Sequence, residues 1–223
     1  MNQKRSVNLP LILGAVLLCL FILFTVCVMT VDVKPVGPSG STVGFATLNE
    51  AFFKTVGVHS IAYSASELLG ILAWTLPLIF CILGIVQWYK RKKLFAVDRD
   101  IFVLAGAYVV MAVAYVFFEI FTVNLRPILV DGLLEASYPS SHTLLSIVLF
   151  GTAFRQIVTR IDRKRLKLIL TVLDLVLLVA TVILRLLSGV HWLSDILGGV
   201  LLGTAIVLLY NGFSAYVTGE VKK

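Results

Sequence analysis

Long apolar runs alternate with short polar or basic segments along the whole chain. A bilayer core about 30 Å thick is crossed by about 20 mostly apolar residues in a helix. On that measure the pattern predicts six transmembrane helices, over residues 9–31, 68–88, 101–123, from 141 past 154, 168–184 and 193–210. Pro77 predicts a kink in the second, which packing in a bundle tolerates. Arg155 follows only a short apolar run in the fourth and is expected to snorkel. Lys4 and Arg5 precede the first run as they would in a signal peptide. That run of 23 apolar residues is too long for a typical signal core, and no A-x-A site follows, so it reads as a retained helix.

Charge orients these spans. With a cytoplasmic N-terminus, 15 of the 19 Lys and Arg residues fall on the cytoplasmic side, including the runs at 90–93 and 163–167. Lys34, Lys54, Arg126 and Arg185 fall outside. Positively charged loops stay in the cytoplasm. The expected architecture is therefore an all-α polytopic bundle of six transmembrane helices with both termini cytoplasmic. It is one membrane domain over residues 1–223, with an active-site half at about 101–211 and an outer loop at 32–66.

Composition agrees. Hydrophobic residues make up 59% of the chain and charged residues 14%, against roughly 25% charged in soluble domains. That excludes disorder, a secreted disulfide scaffold and an ordinary cytosolic enzyme. The net charge of +7 is explained by orientation alone, so no nucleic-acid partner is expected. Cys19, Cys27 and Cys81 lie inside apolar runs and read as small membrane-facing or packing residues. Gly199 and Gly203 have a GxxxG spacing and predict close packing inside the bundle.

In the outer loop, turn residues at 35–40 precede Phe45, Leu48, Phe52, Phe53 and Val56 at helical spacing. They predict an amphipathic helix covering the bundle, or alternatively a lid or lipid entry ramp. Glu67 is placed at the start of the second helix, where an acid is favourable, and Asp174 near the cytoplasmic end of the fifth. Both read as structural.

The remaining polar residues gather on the outer side. Arg126-Pro127 closes the third span, Pro139-Ser140-Ser141-His142 opens the fourth, Arg185 closes the fifth, and His191 and Asp195 open the sixth. Ionisable groups at membrane depth are costly and usually functional. His191 and Asp195, four apart, share a helix face, so the carboxylate can take one ring proton and free the other nitrogen. Ser140 and Ser141 can cap a helix whose first N–H groups face outward, a ready phosphate site. Guanidinium groups suit tetrahedral oxyanions. Ser188 and Gly189 break the fifth helix and let Arg185 and His191 reach one pocket. His142, His191 and Asp195 would also make a zinc ligand set, which the two arginines disfavour.

These three elements resemble the signature of the type-2 phosphatidic acid phosphatase superfamily: KxxxxxxRP, PSGH and SRxxxxxHxxxD. Here they read EIFTVNLRP from Glu119, PSSH from Pro139, and LRLLSGVHWLSD from Leu184. The resemblance spans the third to sixth helices. It implies that His191 attacks phosphorus and forms a phosphohistidine, and that Asp195 orients it. It further implies that His142 protonates the leaving oxygen and then activates water. Arg126, Arg185 and the Ser140–Ser141 amides would hold the phosphoryl oxygens. No cofactor or metal is implied.

Three departures stand out. Ser141 replaces a glycine, Leu184 replaces a serine, and Glu119 reverses the charge of a lysine. On a continued helix Glu119 lies seven residues before Arg126, about 10 Å deeper on a similar face. It is expected either to pair with Arg126 or Arg185 or to retune the site. Lys54 is a candidate for supplying the missing charge.

The resulting expectation is a multi-pass cell-membrane phosphatase with an extracytoplasmic site. It would act on a lipid phosphate or diphosphate of the phosphatidate, phosphatidylglycerol phosphate or undecaprenyl diphosphate class. Alternatives are a weak or silent phospholipid-binding relative and, less favoured, a transporter, whose sites usually lie nearer the midplane.

Overall fold

The computed structural model describes residues 3–219. Among these residues eight α-helices follow in order: α1 Gln3–Thr30, α2 Ala46–Val56, α3 Ser60–Ala73, α4 Thr75–Arg91, α5 Arg99–Ile120, α6 Ser141–Arg160, α7 Lys164–Leu187 and α8 Leu193–Thr218. Among the described residues, six segments are long and apolar enough to cross a membrane, with α3 and α4 together forming one of them, Ser60–Arg91. The chain is a multi-pass, all-helical membrane protein. Strand-like pairing among the described residues is limited to isolated bridges in connecting segments.

Two spans depart from the apolar pattern. The second begins at Ser60 and breaks at Trp74. Pro77 is the physical cause: proline has no N–H and its ring crowds the carbonyl four residues back, here that of Ala73. The Trp74 N–H turns instead to the Ile71 carbonyl at 3.2 Å. The early start at Ser60 places Glu67 inside α3 and not at a helix start, as its sequence context suggested. The third span stops at Ile120, so Glu119 lies in the last turn of α5 and Arg126 lies beyond the helix.

The centre of the bundle is α8, packed against α1, α5 and α6. Between membrane helices no hydrophobic force favours contact, so close van der Waals fit and small residues matter most. Glycines provide it. A Cβ on Gly212 would come within 2.5 Å of Leu11, and one on Gly203 within 2.9 Å of Ile147. The expected packing role of Gly199 and Gly203 is therefore seen against α6. Outward-facing residues such as Val113 on α5 and Leu168 on α7 form the apolar belt. All three cysteines are free, and Cys19 and Cys81 lie on that belt.

At the end of the bundle that carries the basic runs, Arg160 of α6 pairs with Asp98 and with Asp100, each at 2.7 Å. Burial opposes ionisation of Asp98, but hydrogen bonds from Arg160, Arg91 and Gln87 outweigh it and hold the carboxyl down at about 2. Arg155 does not simply snorkel: its Nε donates to the Ser214 hydroxyl of α8 at 3.0 Å.

At the opposite end α2 lies over the start of α8. Fully buried Asn49 donates to the Gly44 carbonyl at 2.7 Å and the Ser194 hydroxyl at 2.9 Å, while its carbonyl accepts the Ser194 N–H at 3.0 Å. Phe53 packs on Trp192. The amphipathic segment is thus a cover that fixes the entry to α8.

Candidate active site

The site is assembled at the α2 end from two loops and the ends of three helices. Tyr138 anchors the first loop. It is 1% exposed, its hydroxyl is 2.8 Å from that of Thr25, and its ring packs against Phe21 and Phe118. The chain then enters α6 through Pro139 and Ser140. The Ser140 N–H donates to the Asp195 carbonyl at 2.9 Å, and its hydroxyl accepts from Thr143 at 3.1 Å. This corrects the expectation of a free Ser140 amide and a Ser140 side-chain cap. The first amides of α6 itself, from Ser141 onward, lack an intrahelical partner.

His191 lies between α7 and α8. The chain turns there at Ser188 and Gly189, whose φ is +72 and where a Cβ would lie 2.1 Å from the Gly57 carbonyl. The His191 Nδ1 lies 3.1 Å from the Ser137 carbonyl, while the nearer Asp195 oxygen is 3.9 Å away. A carbonyl only accepts, so Nδ1 carries the hydrogen and Nε2 keeps its lone pair. Nε2 is buried and has no partner. Burial, followed by the nearby positive charges of Arg185 and Arg126 and by His142, lowers the His191 pKa well below its usual value. It is neutral at neutral pH.

Asp195 is fully buried and does more than face the histidine. One oxygen accepts the Trp192 N–H at 2.9 Å, capping α8, and the other accepts Asn124 Nδ2 at 3.1 Å. The capping role and proximity to His191 coexist in one carboxylate.

His142, in the first turn of α6, meets a residue outside the three sequence elements. Its Nε2 is 3.2 Å from one oxygen of Glu67, and the other oxygen accepts from Arg185 Nη1 at 2.7 Å. Arg185 is 1% exposed and also lies over the Tyr63 ring. Glu67, read from sequence as a structural acid, therefore bridges two site residues.

Arg126 projects from a short hairpin, where its N–H donates to the Glu135 carbonyl at 3.0 Å and the Ser137 N–H donates to the Asn124 carbonyl at 2.9 Å. Its Nε is 3.1 Å from a Glu135 carboxylate oxygen. Because Arg126 pairs with Glu135 and Arg185 with Glu67, Glu119 holds neither arginine. Glu119 instead lines a narrow cavity with Tyr115, Ser137, Ser141 and His191. Lys54 pairs with Glu50 at 2.8 Å on the exposed face of α2, so it does not supply the charge missing at position 119.

Four buried polar atoms mark the centre of the site by having no hydrogen-bond partner: Arg126 Nη1, His142 Nδ1, Arg185 Nε and His191 Nε2. Such groups are costly to bury unmet, and their donors suit an anion. Beside them lies a groove of about 320 Å³ between α3, α5 and α6. It is lined by His142, Ser141 and Tyr115 at one end and by Ile71, Trp74 and Met111 along its length. Ile71 and Trp74 belong to the outward apolar surface. Ser141 and Tyr115 border both the groove and the cavity of His191. Among the described residues, no group of three or more His, Cys, Asp or Glu side chains has the spacing to hold a metal ion.

The structure thus brings Arg126, Arg185, His142, His191 and Asp195 together. Sequence reasoning missed Glu67, Asn124 and Ser137. A signal for the first existed: Tyr63, Ser66, Glu67 and Gly70 fall at i, i+3, i+4 and i+7, one face of α3.

A family model described as the PAP2 superfamily matches residues 101–218. No curated protein matches the chain. The fold is similar to the crystal structure of the first transmembrane PAP2 type phosphatidylglycerolphosphate phosphatase from Bacillus subtilis. That similarity has a TM-score of 0.61 and 20% sequence identity, and covers 91% of this chain and 96% of the other.

Proposed function

Because the chain belongs to the PAP2 superfamily, we propose that it is a membrane phosphatase that hydrolyses a lipid phosphate or diphosphate. One observation carries this reading: His191 is held neutral with a free, buried Nε2, and two arginines and a second histidine lie close enough to act on its charge. The Nε2 lone pair attacks phosphorus while the P–O bond to the lipid breaks. A proton from His142 goes to the departing oxygen. Water then attacks the phosphohistidine, His142 takes its proton, the P–N bond breaks, and inorganic phosphate leaves. Arg126, Arg185 and the Ser141 amide stabilise the phosphoryl oxygens. Ser140 contributes its fold position, since its N–H is already committed to Asp195.

The apolar groove supports a lipid leaving group. It runs from His142 to the outward surface of α3 and α5, so an acyl or prenyl chain in the bilayer has a lateral route to the acid. The distribution of basic residues supports an extracytoplasmic site in the cell membrane. The head group is of the phosphatidate, phosphatidylglycerol phosphate or undecaprenyl diphosphate class.

Phosphate release from a panel of these lipids, with EDTA present, tests the reading. Wild type is expected to release phosphate and His191→Ala to release none. Rapid acid-free quenching is expected to trap label on His191. A wild type silent on every lipid would favour a phospholipid-binding relative, and activity that disappears in EDTA would restore a metal mechanism.

A further inference from the structure

We propose that Glu67 is a positioning residue for His142, doing for that histidine what the Ser137 carbonyl does for His191. The proposal rests on the phosphatase reading above. Four residues on one face of α3 are fitted to the site. Tyr63 lies under the Arg185 guanidinium at 5.5 Å, and the Ser66 hydroxyl is 3.4 Å from Arg185 Nη1. Glu67 touches Arg185 at 2.7 Å and His142 at 3.2 Å. Gly70 leaves room for the imidazole, because a Cβ there would come 2.8 Å from His142 Cδ2.

An ionised carboxylate only accepts, so Glu67 keeps a hydrogen on His142 Nε2. Nδ1, buried and without a partner, is then the nitrogen free to serve the leaving oxygen. Glu67 also offsets part of a charge problem. Arg185 is buried next to His142, and a lone guanidinium there would oppose the imidazolium that an acid must be. Tyr115 from α5, Arg126 and His191 complete the ionisable surroundings of the ring. Among these neighbours Glu67 is the carboxylate in contact with it. During transfer the Nδ1 proton passes to the lipid oxygen as the P–O bond breaks, while the hydrogen facing Glu67 stays on Nε2. The same arrangement presents neutral Nδ1 to the water of the second half-reaction.

The test compares two leaving groups. A lipid alkoxide needs a proton to depart; nitrophenolate does not. For Glu67→Gln, kcat/KM for the lipid phosphate is expected to fall about 10- to 100-fold, while that for p-nitrophenyl phosphate stays within about threefold. Glu67→Asp is expected to recover part of the lipid activity. Thermal unfolding of each variant in the same detergent checks that it is folded. Equal loss on both substrates in a folded variant, or no loss on either, would overturn the positioning role. So would a gain on the lipid, which would mean that Glu67 occupies the substrate's place. His191→Ala, run in parallel, separates the two levels. If it still hydrolyses either substrate, the phosphohistidine reading itself fails; if it is inactive, the Glu67 pattern alone decides.

Discussion

His191 Nδ1 is held by the main-chain carbonyl of Ser137 at 3.1 Å, and Asp195, four residues along the same chain, stands farther off at 3.9 Å. The acceptor is backbone, so the Ser137 side chain is dispensable for it. Ser137→Ala is expected to lose far less phosphatase activity than His191→Ala, since the carbonyl that holds Nδ1 remains and the substitution removes only the hydroxyl's contacts with the Asn124 carbonyl and the Asp195 carboxylate. A loss comparable to that of His191→Ala would refute the backbone assignment.

Asp195 is expected to matter through two hydrogen bonds as well as its charge. Asp195→Asn turns one acceptor into a donor facing Asn124 Nδ2 or the Trp192 N–H. The loss of a buried bond to a charged group costs about 1.5–3 kcal/mol. Adding Asn124→Asp restores a donor–acceptor pair. The double variant is expected to regain thermal stability but not activity, because the charge has moved away from His191. Recovery of both would reduce Asp195 to a cap.

The depressed His191 pKa sets the pH behaviour. Attack requires the neutral ring, so the acid limb of kcat/KM is expected below 6.5, the usual histidine value. An acid limb above 6.5 assigned to this residue would contradict its burial. Stability has a matching sign. Between the folded pKa and 6.5 the unfolded chain binds a proton that the folded chain does not, so stability falls as pH falls through that window. Unfolding midpoints at pH 7 and pH 5 are expected to reflect this, with a smaller difference in His191→Gln.

Gly189 combines a positive φ with a close approach to the Gly57 carbonyl. Gly189→Ala would strain the backbone and push the His191 loop away from α2, at a cost of more than about 1 kcal/mol. Activity is expected to fall much further than the melting temperature suggests, because phosphoryl transfer is sensitive to small misplacements. An active Gly189→Ala enzyme would show that the loop has slack.

Lys54 and Glu119 are expected to behave oppositely. Lys54→Ala leaves the Michaelis constant for a lipid phosphate unchanged, since Lys54 is spent on Glu50 at the surface. Glu119→Lys lowers it, by replacing a carboxylate that lines the His191 cavity with a cation. Michaelis constants of the two variants measured on one substrate decide both points.

Much of this protein can be read along one dimension. Six apolar stretches, the basic segments between them and the order of three polar elements follow from local composition, because water and lipid sort residues without reference to distant partners. Gly189 beside Ser188 likewise signals the turn that returns His191 to Arg185. Partnership is different. Glu67 is separated by 75 residues from His142 and by 118 from Arg185, and its face of α3 becomes meaningful only once α6 and α7 are packed against it. Ser137 acts through a carbonyl that every residue possesses, so no side-chain pattern marks it. The Ser140 amide looks free in a sequence and is taken in the structure by the carbonyl of Asp195. Arg126 leaves the helical register of Glu119 because the chain stops being helical at Ile120 and forms a hairpin pinned by buried Asn124. Local hydropathy determined where the chain is apolar and where its chemistry gathers. Tertiary packing alone decided which acid faces which base, because hydrogen bonds and ion pairs depend on distances of a few ångströms between segments far apart in the chain.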